Sequence, residues 1–471
     1  MKKDDLYELI RTLTPVEKKV FKEKNAAKNQ ANFIRLFDAI ATGEAANDAD
    51  VKKKFSQEVF INHLCKTKAY LYEAILTTLH EQLQPHYTRL QIFKLLEFAE
   101  TLYSRKLSPQ AEDVMQEALE LAQQTDEVDL EQFVAWQLAM IKSKLHQKDN
   151  LQVIFKVSER VEESKQYAQL FMEAHYAYLQ RGKKEEDNFE KFYNHPLVLK
   201  KGKLKSAQAE RYLAIIKSLL NTVAKKYEDA LEENIKVVRL AKPIAYTSAQ
   251  TEIAYINALF NVVLAQQSLH KSAQKYIEQL EKFEPVSMWG KSHHCVCLLR
   301  AKLNEYVTGK PTAEGKKLLQ WIEKKLPQYK NELNEQELIK LHISIAGLCL
   351  KEKEYNKALD YLLLFNQSKI ARENRPVIYR VAMLYQQIAY YELKNFEWLA
   401  TTLRNYKYFQ QTNDAFYLIE KHTLEFLSKA IRLPDDKTRK AAKAEFANNL
   451  KQAATKEHKS GMAYLENIGW V

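Results

Sequence analysis

Glycine and proline are scarce in this chain, nine and ten residues out of 471. Together they make up about 4% of the sequence where soluble proteins average roughly 12%, which leaves too few tight turns for hairpins and sandwiches and excludes an all-β fold. The same shortage leaves no Gly-rich phosphate loop, Walker motif or nucleophile elbow, and no paired-histidine zinc motif is present, so an enzyme is disfavoured. Cysteine is scarce as well. Cys65, Cys295, Cys297 and Cys349 are too few and too scattered for a disulfide framework, and they read as reduced, mostly buried small hydrophobes. No stretch approaches the ~18 uninterrupted apolar residues of a membrane span, so no membrane partner is expected. Met1-Lys2-Lys3-Asp4-Asp5 leads into a capped amphipathic helix rather than the apolar core of a signal peptide, and the expected location is the cytoplasm.

Hydrophobic residues make up 46% of the chain and aromatics 11%, too much for a disordered polymer and enough for a sizeable core or several domains. Lys and Arg number 72 against 60 Asp and Glu, a net charge of +12 spread over a large surface. That excess is compatible with nucleic acid or acidic proteins and specifies neither.

Helical periodicity runs almost throughout, as in Leu6, Leu9, Ile10 and Leu13 and again in Leu64, Leu71, Ile75 and Leu79, and strand-like alternation is sustained nowhere. Thr14-Pro15-Val16-Glu17 combines a threonine cap, a proline at the first helical position and a glutamate three residues after the cap, which predicts a helix starting at Pro15. Further helices are predicted around Asn32–Ala41 and Asp48–Phe55, then a long one from about Glu58 to Gln84, stopped by Pro85. Residues 1–85 read as a helical unit of their own.

Beyond Pro85 the breakers become periodic. Pro243, Pro285 and Pro327 stand 42 residues apart. Polar turns lie between them at Lys225-Lys226-Tyr227, Leu269-His270-Lys271, Thr308-Gly309-Lys310-Pro311, Lys351-Glu352-Lys353-Glu354 and Leu393-Lys394-Asn395. Earlier ones occur at Lys106-Leu107-Ser108-Pro109 and His146-Gln147-Lys148-Asp149. A period of about 40 residues holding two helices is the signature of stacked helical hairpins. Small residues recur with it: Ala99, Ala111 and Ala118; Ser218 and Ala230; Ala346 and Ala358. Lys226-Tyr227-Glu228-Asp229-Ala230-Leu231 and Glu354-Tyr355-Asn356-Lys357-Ala358-Leu359 share one turn-plus-helix pattern. Asn261, Phe365 and Gln387 depart from the small-residue rule.

On these residues, the stretch from about 86 to 410 resembles tetratricopeptide-repeat (TPR) proteins, within a repeat domain of residues 86–412. The resemblance implies an all-α fold, a superhelical stack of antiparallel helix pairs with a concave binding surface, here preceded by an N-terminal helical domain. Residues 413–471 are expected to cap the stack, with a helix to Leu433, a break at Pro434-Asp435 and a last helix to about Ser460. Ile468-Gly469-Trp470-Val471 is either docked back or an exposed anchor, and the irregular, lysine-rich Arg181–Ser206 is a long inter-helix connection.

Candidate sites are few. His293 and Cys297 share a helix face in His293-His294-Cys295-Val296-Cys297, but zinc needs four ligands from two segments, and buried cysteines are the plainer reading. Glu185-Glu186-Asp187 beside Lys183-Lys184 reads as a solvated charged loop. The resemblance also implies where a carboxylate-binding TPR groove would carry Lys and Asn. Those places hold Leu96 and Glu100, Ile215 and Leu219, Ile343 and Gly347, so a clamp of that kind is not expected. Tyr385, Tyr390 and Tyr391 crowd one late helix and are the candidate interface anchors.

Leu13–Val20 resembles the opening of bacterial helix-turn-helix domains, and Lys52, Lys53, Lys54, Lys66 and Lys68 are the candidate phosphate contacts. Residues 1–85 nevertheless carry 14 basic and 12 acidic side chains, a net of only +2. The expected function is therefore a non-enzymatic scaffold or adaptor that holds a protein or peptide on its repeat surface, with no cofactor. The alternative is a nucleic-acid-binding regulator that uses the N-terminal unit, with the repeats as sensor or dimerisation domain.

Overall fold

The computed structural model describes residues 5–25, 32–144, 151–180, 187–269, 271–308, 314–329, 333, 335–367, 376–411, 418–454, 465 and 470. Among these, α- and 3₁₀-helices are the only regular structure, and no helix is long and apolar enough to cross a membrane. The chain forms two compact units, one of residues 1–121 with 246–248, the other of residues 122–245 and 249–471.

In the first unit, α1 (Asp5–Thr12) ends at Thr14, whose hydroxyl accepts from the Glu17 N–H at 3.2 Å while the Glu17 carboxylate accepts from the Thr14 N–H at 2.7 Å. This reciprocal cap starts α2 (Pro15–Lys24) where the sequence places it. Helices α3 (Asn32–Ala41), α4 (Asp48–Lys54) and α5 (Leu64–Leu83) follow, and α5 begins later than the periodicity implies because Val59–His63 forms a 3₁₀ turn. Leu6, Ile10, Phe21, Phe37 and Leu71 close a dense core, with the Phe21 and Phe37 rings 4.6 Å apart. Helices α6 (Thr88–Ser104) and α7 (Ser108–Gln124), the last three residues of which belong to the second unit, are joined by a short turn, and Ala99, Ala111 and Ala118 are fully buried. The carbonyls of Tyr246 and Thr247 accept from the Thr88 and Arg89 N–H groups, two donors that the first turn of a helix otherwise leaves unpaired.

In the second unit, α8 (Val128–Lys144) pairs with the long α9 (Leu151–Gln180). Short α10 (Asp187–Tyr193) and α11 (Pro196–Leu199) occupy the irregular connection. Sequential antiparallel pairs follow: α12 (Ala207–Val223) with α13 (Tyr227–Ala241), α14 (Ala249–Ser268) with α15 (Gln274–Lys282), and α16 (Met288–Thr308) with α17 (Glu314–Tyr329). Then come α18 (Glu335–Lys351) with α19 (Tyr355–Asn366), α20 (Pro376–Glu392) with α21 (Phe396–Gln411), and α22 (Leu418–Ala430) with α23 (Asp436–Ala454). First helices from α12 onward begin at residues 207, 249, 288, 335, 376 and 418, so the period near 40 is real.

One local device makes the hairpins. Lys106, Lys225, Lys353 and Lys394 have positive φ of 57–64°, the left-handed conformation usually taken by glycine. At each, the next residue's N–H returns to a carbonyl five residues back: Leu107 to Leu102, Lys226 to Asn221, Glu354 to Cys349, Asn395 to Tyr390. This is how a glycine-poor chain ends its helices sharply. On both sides of these turns the small side chains are buried, Ser218 and Ala230 in one pair and Ala346 and Ala358 in another. Pro243 and Pro285 do separate pairs, whereas Pro327 lies within the last turn of α17 and is not a boundary. The turn His146–Asp149, most of Thr308–Pro311 and the cluster Lys183–Glu186 fall outside the described residues.

Two of the buried carboxylates of the second unit tie its later helices together. Glu252 on α14 is fully buried and accepts from the Val286 N–H (2.7 Å), the Ser287 N–H (3.2 Å) and the Ser287 hydroxyl (2.6 Å), which ties the start of α16 to α14. Glu420 on α22 accepts from Arg380 of α20 at 2.5 Å. Burial pushes the Glu420 carboxyl up and the Arg380 guanidinium pulls it back.

Candidate functional site

Lys52, Lys53 and Lys54 close the last turn of α4 and are exposed, with Lys54 ion-paired to Glu44. Lys66 is exposed on α5. Lys68 is not available to a phosphate. Its ammonium is buried over the Tyr7 ring at 4.8 Å and donates to Asp48 Oδ1 at 2.6 Å, the same oxygen that accepts from the Tyr7 hydroxyl. The interface tyrosines are also placed differently from the expectation. Tyr385, Tyr390 and Tyr391 are all buried, and Tyr391 meets Phe426 at 5.4 Å and Trp470 at 6.1 Å. They are core residues because α20 has α18, α19, α21 and α22 packed around it.

The histidine–cysteine segment is absorbed in packing. His293 Nε2 lies 2.8 Å from Asn257 Oδ1 and 3.6 Å from Cys297 Sγ, and His294 Nε2 lies 2.6 Å from the Leu280 carbonyl. Burial lowers the His294 imidazole and pushes the Cys349 thiol up to about 12, so that thiol stays protonated and non-nucleophilic. No cluster of metal-ligating side chains occurs among the described residues.

A cavity of about 410 Å³ opens between α18, the start of α19, α20, α23 and the C-terminus, lined by Leu350, Lys351, Lys353, Tyr355, Ile388, Glu392, Lys443 and Trp470. Three of its four charges, Lys351, Glu392 and Lys443, are committed to the fold. Glu392 accepts from Lys443 (2.8 Å) and from the Trp470 indole N–H (2.7 Å), and the Lys351 ammonium donates to the Tyr306 carbonyl (3.0 Å). Trp470 is therefore docked, packed against Phe446 and Phe426 with ring centroids within 6.0 Å.

Among the described residues, one feature that packing leaves unexplained is on α8. Val134, Ala135, Leu138 and Ile141 are buried, as one helix face should be. Phe133, Trp136 and Met140 stand on the opposite face at i, i+3 and i+7, and each is at least half exposed (50%, 56% and 50%). The stripe spans about 10 Å at a rise of ~1.5 Å per residue. Register between α8 and α9 is fixed by Gln132 Nε2 donating to Ser158 Oγ (3.0 Å) and by Arg160 donating to the buried Glu131 (2.6 Å). That register sets Phe155 of α9, 67% exposed, level with Trp136. Arg160 also bonds Asp126 at 3.0 Å, so the pair is held by an internal ion network while its outer aromatic face stays at least half exposed. Sequence periodicity does not single this stripe out. The available signal was that α8 carries apolar side chains on both faces, which periodicity alone treats as a buried helix.

No protein-family model matches the sequence, and neither a curated protein nor a solved structure shows significant similarity to it.

Proposed function

We propose that this chain is a non-enzymatic, TPR-like scaffold that binds a protein partner on its helical-repeat surface in the cytoplasm. The observation that carries the reading is the aromatic stripe Phe133, Trp136 and Met140, three large apolar side chains held half exposed on a helix whose other face is properly packed. Exposed aromatic and Met side chains grouped on one face are costly to solvate and are the composition of protein interfaces. The TPR-like part rests on the 40-residue pairing and on small residues such as Ala346 and Ala358 at the close crossings.

The N-terminal nucleic-acid reading has less support, because Lys68 is committed to Asp48 and Lys54 to Glu44. Affinity capture from native extract with and without nuclease, using wild type and Trp136→Ala, separates the two. Protein partners that resist nuclease and are lost with Trp136→Ala are the expected result. Duplex binding with a steep salt dependence that Lys52→Glu, Lys53→Glu and Lys54→Glu abolish would overturn it, since phosphate neutralisation governs that dependence.

A further inference from the structure

We propose that the α8 stripe is a docking site for one amphipathic helix of a partner protein, apolar on the face it presents and basic at the end that meets the start of α8. This rests on the scaffold reading and names the class of partner. A single straight stripe at i, i+3 and i+7 matches the spacing of the helix-in-groove and helix-on-helix modes, in which the partner offers apolar anchors at the same period. An extended peptide would instead need a sheet edge or a polar groove with regularly placed donors, and α8 offers neither.

Charge selects the sign of the flanks. The chain is +12 overall, yet residues 122–180 hold nine Asp and Glu against six Lys and Arg. Along the exposed face the line Asp129, Phe133, Trp136, Met140 begins with a carboxylate, and Glu159 and Glu162 are exposed on the adjoining helix. Of the neighbouring acids, Glu131 and Asp126 are both paired with Arg160, and Glu159 pairs with Lys205. Asp129 and Glu162 are left as the acidic flank nearest Phe133. Lys or Arg at one end of an incoming helix would meet them, and acidic flanks would be repelled.

The test uses the full chain and two fluorescently labelled synthetic helices of about 15–18 residues, one built of Leu and Lys, the other of Leu and Glu in the same pattern. Net charge alone predicts that a +12 protein prefers the Leu/Glu helix. The local stripe predicts the reverse: the Leu/Lys helix binds about tenfold or more tightly than Leu/Glu, and Trp136→Ala or Met140→Ser weakens it by at least about tenfold. Asp129→Asn together with Glu162→Gln should reduce the Leu/Lys preference and its salt sensitivity while leaving the melting temperature unchanged. Equal binding by wild type and Trp136→Ala, or preference for Leu/Glu, overturns the proposal. So does wild-type self-association by sedimentation that Trp136→Ala removes, because the occupant would then be a second copy. If the Leu/Lys helix fails while nuclease-resistant partners are still captured through other surfaces, the inference falls and the scaffold reading stands.

Discussion

Helices α8 and α20 are each the first of a pair, each rich in large apolar side chains, and they sort those side chains in opposite ways. From Tyr379 to Tyr391 every residue of α20 is buried, and Arg380 donates to Glu420 while Gln386 and Gln387 accept from Asn366 and Thr402. Helix α8 packs chiefly on α9 and leaves Phe133, Trp136 and Met140 in water. Composition does not separate the two. The number of neighbours does, and so an exposed aromatic residue acquires functional meaning only once the packing around its helix is known.

The largest effects should come from breaking α20. Tyr385→Ala or Tyr391→Ala removes a buried ring and is expected to cost about 3–5 kcal/mol, read by chemical denaturation. Trp136→Ala, the same kind of truncation on α8, should change stability by no more than about 0.5 kcal/mol. A large loss in the α8 variant would erase the contrast. Arg380→Met should be as severe as the tyrosine changes, about 3–5 kcal/mol, because it strands Glu420 in the interior. Adding Glu420→Leu should recover most of that loss. Burial raises the Glu420 carboxyl above its ordinary value of 4.5, so the native state holds the proton more tightly than the unfolded chain. Its contribution to stability must therefore rise as pH falls through the folded value toward 4.5. In Arg380→Met that rise should begin at a higher pH, which denaturation across a pH series would detect.

Smaller effects sharpen the account of how pairs are closed. Ala358→Leu should cost about 1–3 kcal/mol by overpacking the crossing with Ala346. Gly290→Ala should be destabilising despite its gain in helix propensity, since the new Cβ would sit 2.5 Å from Glu252 Oε2, a carboxylate fixed by three hydrogen bonds. Lys353→Gly should stabilise by about 1 kcal/mol, because glycine takes the left-handed turn without the clash that lysine tolerates there. An unchanged or lowered melting temperature would remove that account of the turn.

Much of this architecture was legible from local chemistry. Thr14, Pro15 and Glu17 specify a cap that depends on four consecutive residues, and the lysine turns and small residues recur at a fixed distance, so both survive translation into structure. Pro327 misled because a proline tolerated in the last turn of a helix looks the same in sequence as one that separates helices. Sites were less legible. The tyrosine cluster at 385–391 and the stripe at 133–140 are alike as apolar helical patterns, and which face is covered depends on contacts distant in sequence. Lys68 shows the same limit, since its partner Asp48 lies 20 residues away on a different helix.

Hydroxyl-radical footprinting of the full chain, alone and with the Leu/Lys helix, tests the central claim most directly because it reads both helices in one sample. Rapid oxidation of Phe133, Trp136 and Met140 in the free chain, slow oxidation of Tyr385 and Tyr391, and protection of the first group alone when the helix is added are the expected results. Slow oxidation of Trp136 in the free chain, or no protection of it by the bound helix, would contradict the account.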